Sequence, residues 1–225
     1  MTNLLNDDGS ASMATALLMS HHAFRRDIAR FAIALRGLGS PGAAKVAALQ
    51  EEWAQYRAAL HGHHEIEDRN MFPGLRGQHA ELGPVFDQLS ADHRAIDPLL
   101  EAGDRAFTAL AAAPSAAASV VEDIAALLDR HLALEEANVI RFIRDAKGFP
   151  PPSTDAEAAM YAQGFAWSSH GIAPEVLAKL DEILPVVLKS RLSDARAAFA
   201  ARCDRVWGAV TPGASRTSVP DWLAR

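Results

Sequence analysis

Cysteine is nearly absent from this chain: Cys203 is the single one in 225 residues, which excludes an internal disulfide and any thiolate metal cluster. A lone cysteine without metal-type spacing reads as a buried apolar side chain in a reducing compartment. Positive charge is also in short supply. Against 28 Asp and Glu stand 22 Lys and Arg, a net charge of −6, so nothing here recruits a nucleic-acid backbone or an anionic membrane. Long apolar runs are missing too, since the longest, AFTALAAAPSAAASVV, is broken by Pro114 and three Ser or Thr. The opening MTNLLNDDGS carries two Asp and no Lys or Arg, unlike a secretory leader. The expected setting is therefore the cytoplasm, with no nucleic-acid or membrane partner. Alternating β-branched and aromatic residues, the mark of strands, are scarce as well.

What the chain has instead is Ala, Leu, Glu and Arg recurring at spacings of three and four, which makes it all-α. Turn signals at GLGSPG (37–42), PGLRGQ (73–78), AAAPSAA (111–117) and GFPPPSTD (148–155) divide the first 150 residues into four long segments. Short connections between long helices imply an up-down-up-down antiparallel four-helix bundle, here over residues 1–147. Ser40 and Pro41 are placed to open the second helix, Glu81 and Pro84 the third, and Pro114 and Ser115 the fourth, while Pro98 should kink the third. Residues 148–225 read as a helical C-terminal extension packing on the bundle, with helices near 155–168, 173–190 and 190–208. Its end is loop-like, with Trp222 a candidate anchor.

Each of the four segments carries an apolar stripe at helical spacing, for example Leu17, Phe24, Ile28 and Phe31 in the first, or Trp53, Tyr56 and Leu60 in the second. Polar residues interrupt all four stripes. His21, His63 with Glu67, His93, and His131 with Glu135 fall where apolar residues should continue, so all six are expected to point inward. Buried carboxylates need protons, counter-charges or a metal. At a rise of about 1.5 Å per residue the six share one level of the bundle, and each HxxxE pair stacks on one helix face.

An internal repeat supports that convergence. HHEIEDRNMF (63–72) aligns with HLALEEANVI (131–140), and HHAF (21–24) with HRAI (93–96), at offsets of 68 and 72 residues. Imidazole and carboxylate donors without thiolate suit iron or manganese, and two carboxylates among four histidines suit a pair of ions. A dinuclear non-haem site follows. The Glu-x-x-His pairs of ferritin-like bundles and the H-E-x-x-H of zinc peptidases are both absent.

Through HHAFRRDI, HHEIEDRNMFP, DHRAI and HLALEEANVIRF the sequence resembles the hemerythrin-like, or HHE cation-binding, family over about residues 12–147. The resemblance implies a bundle holding two carboxylate-bridged iron ions that meet O2, nitric oxide or peroxide. It makes His21, His63, His93 and His131 terminal ligands and Glu67 and Glu135 bridges. One departure matters: oxygen-carrying hemerythrins have a further histidine one turn before the third-helix histidine, and Leu89 stands there. Water, Tyr56, His61 or His64 are the candidates to complete the shell. For Tyr56 a buried, hydrogen-bonded aromatic is the simpler role. His61 and His64, off the main stripe, suit exposure or a hydrogen bond to a ligand. Asp68 and Glu136 read as outward acids or partners of ligands, and His79 and His170 as bystanders.

GLGSPG matches a dinucleotide-binding pattern in letters only, since no strand precedes it. The arginines of FRRDIAR read as a solvated face. Two functions stay open: a protein that binds or senses O2, nitric oxide or peroxide, or buffers iron, and a redox enzyme with catalase-like or peroxidase-like turnover. A third reading has the metal only stapling the helices together.

Overall fold

The computed structural model describes residues 3–39, 41–146 and 148–208, and these are all-helical, with no strand among them. The expected helix-opening Ser40 and the Trp222 anchor lie outside the described residues. The helices are α1 (Met13–Arg36), α2 (Ala43–Ile66), α3 (Phe72–Gln78), α4 (Gly83–Thr108), α5 (Pro114–Asn138), α6 (Ile140–Ile143), α7 (Asp155–Ser168), α8 (Pro174–Ile183) and α9 (Val186–Trp207). A π-helical turn occupies Glu67–Met71 and a 3₁₀ turn Ala80–Leu82. No described helix is long and apolar enough to cross a membrane.

Prolines set many of these boundaries, because a proline fits the first turn of a helix but not its interior. Pro114 and Pro174 open α5 and α8, and Pro84 lies in the first turn of α4. The break expected near residue 190 falls earlier, at Leu184 and Pro185. Leu184 is extended (φ −72°, ψ 140°), as the residue before a proline tends to be. PGLRGQ, expected as a turn, is instead helical: Pro73 enters the first turn of α3, and the chain breaks only at His79. Helix α4 continues through Pro98 without interruption. Thr154 caps α7 by accepting the Glu157 amide N–H at 3.1 Å.

The chain divides into two compact units, Met1–Arg26 with Val139–Arg225, and Asp27–Asn138. Helix α1 contributes its first part to one and the remainder to the other. In the first unit, Leu18 and Met19 of α1 join Ala158 and Ala162 of α7, Val176 and Leu180 of α8, and Leu188 and Leu192 of α9 in one apolar core. Arg144 ties down the N-terminal segment by donating to the carbonyls of Asn3 and Leu5. Cys203 is buried, as an apolar side chain would be.

The arginines of FRRDIAR are not on a solvated face. Arg25, Arg26 and Arg30 are only 7%, 0% and 1% exposed. Arg26 donates from Nη1 to the carbonyls of Trp167 (3.1 Å) and His170 (2.8 Å), at the turn that ends α7. Arg30 instead donates to Asp27 one turn earlier, at 3.0 Å. Periodicity cannot reveal this, because what covers a helix is set by chain far away in sequence.

In the second unit the residue pairings run in opposite directions along neighbouring helices. Phe31 packs edge-on to Trp53, and Arg36 pairs with Glu122. Trp53 stacks on Phe107 (4.5 Å between centroids, 6° between planes), and His64 stacks on His93 further along. As α2 advances, α4 recedes, which is antiparallel packing. The Trp53 indole N–H donates to Asp104 at 2.9 Å, fixing the ring. Gly103 exists for that ring, since a Cβ there would lie 2.2 Å from Trp53 Cζ2. Alanine in a helix gains about 1 kcal/mol over glycine, but the overlap costs about 1–3 kcal/mol or more and the ring has nowhere to go. Gly103→Ala is therefore expected to lower the thermal unfolding midpoint; an unchanged or raised midpoint would show that Trp53 can yield.

Candidate metal centre

The centre begins at the end of α2. Consecutive helical residues point about 100° apart, so His63 and His64 should not both turn inward. Both do: His64 is 5% exposed and the His63 side chain 12%. Directly after them the winding widens into the π turn Glu67–Met71, closed by the Phe72 amide donating to the Glu67 carbonyl. Such turns occur often at functional sites. This one delivers the Phe72 ring against Phe86 (5.0 Å) and His93 (5.7 Å). The second copy of the repeat is interrupted at the same place. Helix α5 ends at Asn138, whose side-chain amide donates to the Leu134 carbonyl at 2.7 Å. Each copy thus loses regular α-winding close to its acid pair, from Glu67 itself in the first and after Asn138 in the second.

Glu67, 1% exposed, links two sets of donors. Its Oε1 lies 2.8 Å from His63 Nε2, and its Oε2 lies 3.4 Å from His93 Nε2. His93 Nε2 is in turn 3.2 Å from His131 Nε2. The donor atoms of His64, Glu67, His93 and His131 all fall within 4.8 Å of one another, and Glu67 also groups within that distance with His63 and Glu135. His21 is fully buried on α1, in the other compact unit. His61 is exposed, and His79 lies 3.5 Å from Glu81. Neither joins a donor group, nor does His170.

Asp68 orients His93. It accepts from His93 Nδ1 at 2.9 Å and from the Ser90 hydroxyl at 2.7 Å. With Nδ1 engaged by Asp68, Nε2 is the ring nitrogen left facing Glu67 and His131, which is how a carboxylate orients an imidazole for a metal. Asp92 stands 3.7 Å from His131 Nδ1.

Burial, reinforced by the charge of His93, pushes the His64 pKa down to about 2, so this imidazole is neutral with lone pairs available. Burial also opposes protonation of His93, but hydrogen bonds to Glu67 and Asp68 outweigh it and raise that pKa. Tyr56 sits among Phe31 and Trp53. Burial and then the Asp27 charge raise its pKa well above the usual phenol value, keeping it protonated rather than a phenolate donor.

The donor set fits a metal. Two ligand atoms about 2.1 Å from one ion, at right angles, stand about 3 Å apart, and the Nε2 atoms of His93 and His131 meet that condition. Imidazole and carboxylate without thiolate are the donors of iron, manganese or zinc. A helical protein with a buried nitrogen and oxygen centre is what these observations define. Residues 12–143 match the hemerythrin HHE cation binding domain, and the chain belongs to that family. No curated protein and no solved structure matches it.

The sequence left His64 open among several candidates. The repeat held a stronger signal: His64 aligns with Leu132, which is fully buried. An apolar residue at that position in one copy marks it as inward-facing in the other.

Proposed function

We propose that the chain is a non-haem di-iron protein that binds or senses O2, nitric oxide or peroxide, or buffers iron. His21, His63, His93 and His131 are its terminal ligands, and Glu67 and Glu135 its carboxylate ligands. The reading is carried by Glu67, whose two oxygens face imidazoles of two different donor groups, as a carboxylate between two ions would. His21 is included because the repeat pairs it with His93. Iron, when bound, supplies Lewis acidity and one-electron redox chemistry toward such small molecules. The protein's part is to bury these imidazoles and carboxylates together and to fix their orientation, through contacts such as Asp68 to His93.

Anaerobic reconstitution of the full chain with ferrous iron, followed by metal analysis, is expected to give two irons per chain. Its absorption spectrum is then expected to respond to O2, nitric oxide or peroxide. A stable new spectrum supports binding or sensing, and sustained peroxide consumption supports the enzymatic alternative. Fewer than two irons after reconstitution would sink the di-iron reading.

A further inference from the structure

Leu89 lies one turn before His93 on α4 and is fully buried, so α4 brings a single imidazole to the centre. The structure places another one there from α2. His64 lies face to face with His93, 4.0 Å between centroids and 13° between planes, and edge-on to His131 at 5.3 Å. Its donor atom falls within the same 4.8 Å as those of Glu67, His93 and His131. His64 Nε2 is buried without a hydrogen-bond partner among the described residues, a situation that destabilises a folded protein unless something else satisfies the atom. Leucine fills the matching position 132 in the second copy of the repeat, so the site demands an inward side chain but not a polar one. A polar side chain kept there at that cost calls for a ligand.

We propose that His64 is a direct metal ligand, supplying from α2 the imidazole that α4 lacks. This rests on the di-iron reading above and makes the two positions unequal. One is ringed by His64, His93 and His131 with one Glu67 oxygen. The other has His63, the second Glu67 oxygen and Glu135, with His21 if the repeat is followed. The two-fold symmetry of the donor set is thus broken at His64, whose counterpart in the repeat is Leu132. A cleft of about 160 Å³, whose lining includes His61, Asp68 and Asp97 together with His64 and His93, leaves the three-imidazole position on the side open to solvent.

The test is metal stoichiometry and affinity of the full chain, measured with ferrous iron alone. Wild type holding two ions establishes the di-iron reading, and wild type holding fewer fails that reading before His64 is considered. Given two in wild type, His64→Gln, which keeps the side-chain volume, is expected to bind one ion as before and the other on the order of 100-fold more weakly. In His64→Gly, added imidazole is expected to restore the second equivalent, because a free ring can occupy the vacated space and donate to the metal. Circular dichroism of both variants reports whether the helices are kept. His64→Gln retaining both ions at wild-type affinity overturns the proposal. So does loss of an ion that imidazole fails to restore in a folded His64→Gly, since a purely structural ring would behave that way.

Discussion

In Glu67→Gln the expected result is a folded protein that no longer holds iron well. The substitution keeps the shape and leaves one oxygen, but replaces the other with an amide nitrogen that has no lone pair to give. Losing a residue that merely orients a ligand costs about 10–100-fold in metal affinity; Glu67 faces both donor groups, so both equivalents should weaken by at least that much. The stability readouts have opposite signs. Without metal, Glu67→Gln removes a carboxylate that is 1% exposed, and burying a charge is unfavourable, so the apo midpoint should hold or rise. With ferrous iron present, wild type gains stability by mass action and the variant should gain much less. Equal gains in the two proteins would show that Glu67 touches no metal.

The second large effect lies on α1. Arg30 and Asp27 form an ion pair at 3.0 Å with side chains only 1% and 2% exposed. A buried pair adds little net stability, but removing one partner takes a buried counter-charge from the other, at about 3–5 kcal/mol. Arg30→Ala is expected to shift the denaturant midpoint by that amount, whereas Asp27→Leu with Arg30→Met should recover most of it. A cost below about 1 kcal/mol for Arg30→Ala, the range of exposed pairs, would mean that Asp27 does not depend on Arg30 for its charge.

These two residues show where sequence reading succeeds and stops. Glu67 was legible because ligands recur on a period: of the HxxxE pairs, two lie 68 residues apart at positions where the stripe demands apolar side chains. The helical class was legible for the same reason, since a pattern of threes and fours is local. Arg26 and Arg30 were not, because on a helix covered all round no solvent-facing side is left for charges, and only partners such as the Trp167 and His170 carbonyls show it. Helix α3 was missed because Pro and Gly in PGLRGQ also suit a first helical turn and an exposed helix face. His64 fell between these cases. Its neighbour His63 claimed the stripe, and the wider turn that follows was not visible in composition.

That wider turn has a consequence for how the chain tolerates change. Between Glu67 and Phe72 the backbone carries one residue more than regular winding would use, and the surplus lies in the exposed stretch Asp68–Asn70. Removing Asn70 from the stretch would cost no buried contact of its own. It would nonetheless swing everything downstream through about 100°, carrying Phe72 away from the His93 ring. The surplus residue works as a phase adjuster that sets the Phe72 ring behind His93.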